Sequence, residues 1–286
     1  MPKIVKLREY NPPNLLGEFS SNDISPASGD NLDSPSADKY VYNASSNLRL
    51  WIRFESANPN DLVAYDVSNT PTITYEGVEE TSEFTVYNNR MKAAKFDNVT
   101  NQYAELTFPG GSGNNNILTF GDGSAQDLPF SIGFWFRKLP ESDGSEDADW
   151  LFVKGKSDTE IEYYAFYNPD SLVFNLFGSG DINNKQRITV DAAELNDNSW
   201  HHIVFTYDGR GSAGSNVPAD GMKIYIDGIL QARTSYIDSS NYTYMDGVSE
   251  KLFIGANYST SPRYVADGNM AEFAIWNKEL SLEEIR

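Results

Sequence analysis

SWHHIVFTYDG at residues 199–209 and GMKIYIDGILQART at residues 221–234 read together as three successive β-strands. A strand sends alternate side chains to opposite faces. His201, Ile203, Phe205 and Tyr207 therefore point one way, and Trp200, His202, Val204 and Thr206 the other. Both faces carry bulk, as in a strand with one face in a core and the other inside a curved sheet or under a loop. In the second stretch Asp227-Gly228 separates two alternating runs, and that dipeptide favours the paired positive φ angles of a type I′ turn. A tight hairpin is predicted there.

The same texture extends outward on both sides. Short segments rich in β-branched and aromatic residues alternate with turn clusters. Upstream they include LRLWIRF (48–54), QYAELTF (102–108), PFSIGFWFRK (129–138), DWLFVKG (149–155), EYYAFYN (162–168) and SLVFNLFG (171–178). Downstream come KLFIGAN (251–257) and MAEFAIWN (270–277). So many short strands fill two sheets and predict an all-β, two-sheet antiparallel jelly-roll sandwich over residues 47–286. In FSIGFWFRK the alternation puts Ile132, Phe134 and Phe136 on one face, with Gly133 and Trp135 opposite; a glycine there allows a bend or a close backbone approach. Ser281 followed by Glu284 fits a capping box opening a final helical turn. Residues 1–46 are rich in Pro, Ser, Asn and Asp, show neither a period of 2 nor one of 3.6, and read as an extended arm.

Composition narrows the chemistry. With 22 basic and 41 acidic residues the formal charge is −19, and the basic residues form no run, which argues against a nucleic-acid partner. Without cysteine there is neither a disulfide nor a thiolate site. The N-terminal segment MPKIVKLREYNPPN has no apolar run of signal-peptide length, and no stretch of membrane-spanning length follows, so the expectation is a soluble product of the cytoplasm with no membrane insertion.

The order of segments resembles the laminin-G-like members of the concanavalin A-like lectin and glucanase superfamily. The resemblance is carried by LRLWIRFES, AAKFD with AEL, FSIGFWFRK, LFVKG, SWHHIVFTYDG with MKIYIDG, LFIGAN and GNMAEFAIWNKELSLEEI, in that order. It implies two packed antiparallel sheets and leaves function to be argued from a site. Many relatives hold a structural Ca²⁺ partly with an Asp on the last long strand. The matching position here is Ala271, followed by Glu272, so no metal residues are assigned and no cofactor is expected.

Several residue groups could carry chemistry. His201 and His202 are adjacent on a strand and face opposite sides, so they cannot share a metal, and a packing role is expected for both. Glu141, Asp143 and Glu146 have the spacing of the glycosidase carboxylates known in this superfamily. Ser142, Gly144 and Ser145 stand between them where a strand would need apolar residues, which makes the segment a solvated loop. With Asp147 and Asp149 the same acids could collect a hard cation, although their spacing fits no established loop. EYYAFYN reads as core strand, with Tyr163 and Ala165 alternating with Tyr164 and Phe166.

For ligand binding the candidates are Tyr242, Tyr244, Tyr258 and Tyr264. They lie in or near the polar segment YIDSSNYTYMDG, which also presents Tyr236. Rings in a polar loop either contact a ligand or fold back over the end of the sandwich. The leading expectation is a non-enzymatic binding or assembly protein: a virion component, such as a phage capsid or tail decoration, anchored to other subunits through the 1–46 arm and able to adhere to cell-surface glycans. The alternatives are a carbohydrate-binding module of a bacterial surface or polysaccharide-processing protein, located outside the cell or at its surface, and a glycoside hydrolase. Pairing through open sheet edges would allow a homo-oligomer.

Overall fold

A computed structural model describes residues 47–54, 62–64, 71–80, 84–86, 89–97, 102–108, 117–121, 127–140, 148–178, 181–212, 216–248, 250–258 and 264–286. The arm at 1–46 and the acidic segment at 141–147 lie outside the described residues.

The described strands, in chain order, are β1 (Leu48–Ile52), β2 (Leu62–Ala64), β3 (Thr72–Glu76), β4 (Glu79–Glu80), β5 (Phe84–Val86), β6 (Asn89–Met91), β7 (Ala94–Phe96), β8 (Tyr103–Thr107), β9 (Phe130–Lys138), β10 (Asp149–Ser157), β11 (Glu160–Asn168), β12 (Ser171–Phe177), β13 (Lys185–Asp191), β14 (His201–Tyr207), β15 (Met222–Ile226), β16 (Ile229–Leu230), β17 (Arg233–Asp238), β18 (Leu252–Ile254) and β19 (Gly268–Trp276). The helical turn α1 (Leu282–Ile285) closes the chain.

All but β5 and β6, which pair as a separate two-stranded ribbon, form two antiparallel sheets. A nine-stranded sheet runs β16-β15-β14-β9-β19-β1-β2, with β7 added along β19 and β4 along β7. The eight-stranded sheet runs β17-β13-β12-β11-β10-β18-β8-β3. Neighbours in space are mostly distant in sequence, as in a jelly roll.

The alternation expected for β14 and β9 is what builds the core. Ile203, Phe205 and Tyr207 join Ile132, Phe134 and Phe136 between the sheets, and β11 and β12 supply Tyr163, Tyr167 and Phe174 from the other side. Phe134 stacks on Phe205 and on Phe273 with centroids 6.1 and 5.5 Å apart, and Phe120 lies flat against Phe130 at 4.5 Å. Each such ring contributes about 1.5–3 kcal/mol by leaving water. With no disulfide available, this aromatic layer carries the stability of the sandwich.

The hairpin and the helical turn also follow the sequence. Asp227 and Gly228 have φ of 52° and 72°, the paired left-handed geometry of the expected turn, and Ile226 pairs with Ile229 across it. The Ser281 side chain accepts from the Glu284 backbone N–H while the Glu284 carboxylate accepts from the Ser281 N–H, a complete capping box. One segment differs from expectation: Tyr236–Asp238, read as loop, belongs to β17, which pairs with β13. Thr234, Tyr236 and Ile237 have the strand propensity that overrides the turn residues around them.

The two outer faces differ. On the nine-stranded sheet Leu48, Trp51, Val204, Tyr225 and Trp276 form a second buried cluster, and Leu280 and Ile285 of the C-terminal segment complete it. Gly133 makes room for it: a Cβ there would sit 3.4 Å from both the Trp276 ring and Val204. The close approach, rather than a bend, explains this glycine. The outer face of the eight-stranded sheet has its own cluster of Val153, Ile161, Tyr164, Phe177 and Phe253, and partly exposed rings lie around it.

Candidate functional site

The register across the eight-stranded sheet sets one row of outward side chains: Thr74, Glu105, Phe253, Val153, Tyr164, Asn175, Arg187 and Ile237, one from each strand in order. A neighbouring row passes through Trp150, Phe166, Val173, Thr189 and Ser235. Where the rows meet, the Trp150 ring lies 4.7 Å from Tyr164 and 5.7 Å from Phe166. Tyr258 stands edge-on to Trp150 at 6.4 Å, and its hydroxyl donates to Asp158. Trp150, Phe166 and Tyr258 are all half-buried, so each keeps part of a ring accessible.

Polar groups border these rings. The Arg187 guanidinium lies 6.0 Å from the Phe166 ring; its Nε donates to Asn175 Oδ1 at 2.7 Å, and Nη2 reaches the Tyr164 hydroxyl at 3.4 Å. Tyr164 is pushed above the ordinary phenol pKa by burial, against the opposing effect of Arg187. Lys185 sits two residues along the same face of β13; burial and then Arg187 hold its pKa below the usual lysine value. Asn175 is fully buried, and its Nδ2 has no hydrogen-bond acceptor.

The four expected tyrosines do not converge. Tyr242 is a correction: it is 2% exposed, within the main core, and its hydroxyl donates to Asp127 at 2.8 Å. Asp127 also accepts from the Tyr207 hydroxyl at 2.6 Å and the Met245 N–H at 2.5 Å. Tyr242 is thus an internal tie that folds back over the sandwich end. Tyr244 is half-buried and Tyr264 is 38% exposed; among the described residues neither makes a ring contact with the Trp150 cluster. Tyr258 alone of the four reaches that face. EYYAFYN is core on one side only, since Tyr164 and Phe166 point outward into the aromatic face. Two ring-bearing faces on one strand were the signal for this site.

The histidines separate as expected. His201 is 1% exposed and lies between Asp227, 2.9 Å from Nδ1, and Asp197, 3.0 Å from Nε2. Burial alone would lower its pKa, but Asp227 and then Asp197 outweigh burial and raise it. His202 packs on the other face against Trp135, ring centroids 5.2 Å apart.

The buried carboxylates are internally committed. Glu162 accepts from the Phe120 and Gly121 N–H groups at 2.5 and 3.1 Å and lies 3.7 Å from the buried ammonium of Lys154. Asp149 accepts from the Asp267 N–H at 2.6 Å and pairs with Lys138 at 2.9 Å; burial nevertheless raises its pKa to about 6. Ala271, at the inherited cation position, is fully buried and offers no side-chain oxygen. Glu272 occupies a bulge with φ of 54° and accepts from Trp51 Nε1 at 2.6 Å. The glycosidase-spaced acids Glu141, Asp143 and Glu146, with Asp147, lie outside the described residues.

Solved structures with the same architecture include three botulinum neurotoxin fragments. The serotype G binding domain aligns with a TM-score of 0.55 at 15% identity over 84% of this chain and 50% of its own. The serotype D binding domain aligns with a TM-score of 0.55 at 17% identity over 84% and 49%. The receptor-binding domain of a C/D mosaic serotype, with tetraethylene glycol and sulfate bound, gives 0.52 at 18% identity over 84% and 49%. The chain thus spans about half the length of each, and likeness at these identities is one of fold. No curated protein matches by sequence. A laminin G family model described as concanavalin A-like lectin/glucanases superfamily matches residues 111–286, which include the aromatic face and both decisive strands. On that match, covering more than half its length, the chain belongs to the laminin G family of the concanavalin A-like lectin/glucanases superfamily.

Proposed function

We propose that this chain is a non-enzymatic carbohydrate-binding module whose ligand lies across the outer face of the eight-stranded sheet. The observation that carries this reading is the set of half-buried rings of Trp150, Phe166 and Tyr258, bordered by Arg187, Asn175 and Asp158. A pyranose has an apolar face of C–H groups and a polar rim of hydroxyls. Accessible faces of aromatic rings accept the first, and side-chain donors and acceptors at their edges accept the second. The family and the receptor-binding domains among its structural neighbours support binding as the role. A non-enzymatic reading is supported by the carboxylates Asp127, Asp149, Glu162 and Glu272, which are all held by internal donors.

Screening the intact chain against arrayed glycans tests the proposal. Binding should fall at least tenfold in W150A while the circular dichroism spectrum is unchanged; binding that survives W150A would reject this face. As the setting we propose a virion, with residues 1–46 anchoring the module to neighbouring subunits, on the strength of the composition of that arm. Loss of particle attachment on deleting 1–46 would support it, and unaltered attachment would reject it.

A further inference from the structure

We infer that the glycan bound on this face is acidic, with its anionic group received by Arg187, Asn175 and Lys185. The inference rests on the carbohydrate-binding reading and adds the charge class of the ligand.

The chain carries 41 acidic and 22 basic residues, so a cation that lacks a carboxylate partner is informative. Elsewhere in the described residues Lys138, Lys154, Lys223, Lys251 and Arg210 are each within 3.7 Å of a carboxylate oxygen, while Arg137, at the far sheet, donates to Asn198. Arg187 instead spends its Nε on the neutral Asn175 amide and its Nη2 on a tyrosine hydroxyl. Arg187 is close enough to disfavour the charge on Lys185, with Asp181 acting weakly in the opposite sense, yet Lys185 forms no ion pair among the described residues. Two positive groups are thus held side by side on one face, in a molecule with acid to spare for neutralising them.

The Asn175 amide is the second observation, and it is independent of charge. Its orientation is fixed, because only Oδ1 can accept from Arg187 Nε, and this turns Nδ2 into a buried region with no acceptor. A buried donor left unsatisfied destabilises a fold, and such groups persist where function uses them. Arg187 still has guanidinium N–H groups to give, so its fork and the amide would offer donors to a planar carboxylate or to a sulfate. The Phe166 ring beneath the guanidinium and Trp150 next to it would receive the sugar to which that anion is attached.

Calorimetry on the intact chain tests this. The probes are a sialylated, a glucuronate-containing and a sulfated oligosaccharide, each beside its neutral parent, at low and high salt. At least one acidic probe should bind tenfold or more tightly than its parent, and the preference should shrink with salt. R187Q should erase the preference, bringing the acidic probe down to the affinity of its neutral parent for the same variant. The strongest of the three probes identifies the anion as carboxylate or sulfate. N175L removes the unsatisfied donor together with the acceptor of Arg187 Nε, so an unchanged circular dichroism spectrum at the assay temperature is the guard against a folding defect, and its acidic preference should fall. Equal binding of acidic probes and parents, or a preference that survives both R187Q and N175L, overturns the inference and leaves the carbohydrate-binding reading standing. Failure to bind any glycan overturns both.

Discussion

Tyr242→Phe separates a structural tyrosine from a ligand-binding one, and its cost follows from the Asp127 site. The side chain is 2% exposed, so no water replaces the hydroxyl when it is removed, and the Asp127 carboxylate keeps two donors, Tyr207 and Met245. A hydrogen bond to an ionised carboxylate contributes about 1.5–3 kcal/mol, so the variant should lose about 2 kcal/mol. For a domain of this size that corresponds to a melting temperature lower by about 4–8 °C. Asp127→Ala strands all three donors at once and should cost on the order of 5 kcal/mol, taking about 1–3 kcal/mol for each unsatisfied group. The assay is urea unfolding followed by tryptophan fluorescence, with glycan binding measured on the same preparations. Tyr242→Phe should retain binding. A variant as stable as wild type to within about 0.5 kcal/mol, the scatter of ordinary surface changes, but with binding abolished would refute the tie and return Tyr242 to the ligand.

Two further outcomes follow from buried charge. Because Asp227 and Asp197 raise the His201 pKa above its unfolded value of about 6.5, the folded state binds the proton more tightly. The stability this supplies is fully present below about pH 6.5 and is lost as pH rises through the folded pKa. The stability gap between wild type and H201Q, measured by denaturant midpoints from pH 5.5 to 8.5, should therefore narrow with rising pH; a constant gap would show that the contacts do not depend on charge. Glu162→Gln leaves the buried Lys154 ammonium, 0% exposed, without its counter-charge and should cost about 3–5 kcal/mol in urea unfolding. A change under about 1 kcal/mol would show that the pair is neutral as folded.

Local rules reached a long way in this chain. The Asp227-Gly228 hairpin, the capping box at Ser281 and the parity of β9 and β14 are each set by residues within one or two turns or strands, and the structure reproduces them. The burial of Tyr242 escaped such rules for the opposite reason. Tyr242 sits among Ser, Asn, Thr and Asp, the surroundings of an exposed ring, and its burial depends on Asp127, 115 residues away in sequence. Nothing near either residue announces the other. The aromatic face was hidden differently. Trp150 and Tyr164 were both assigned to strands, but which side of a two-faced aromatic strand meets solvent depends on the register of its neighbours.

The molecule itself supplies the comparison that singles out the eight-stranded face. Both sheets put tryptophan and tyrosine on their outer surfaces, which alone would be costly to leave in water. On the nine-stranded sheet the chain resolves this internally: after Trp276 it turns back, and Leu280 and Ile285 bring that cluster to 6% exposure or less throughout. The capping box and the Lys278–Glu284 pair hold the covering turn in place. Across the eight-stranded sheet Tyr258 and Ile182 pack at the cluster, yet Trp150 and Phe166 stay half-buried beside an unsatisfied amide and two cations without carboxylate partners. A face whose only demand was burial would need rings and a lid, as its counterpart has. The unsatisfied Asn175 amide on such a face destabilises the free protein, and on the proposed reading that cost is recovered when something polar arrives with an apolar side to rest on the rings, as a sugar would.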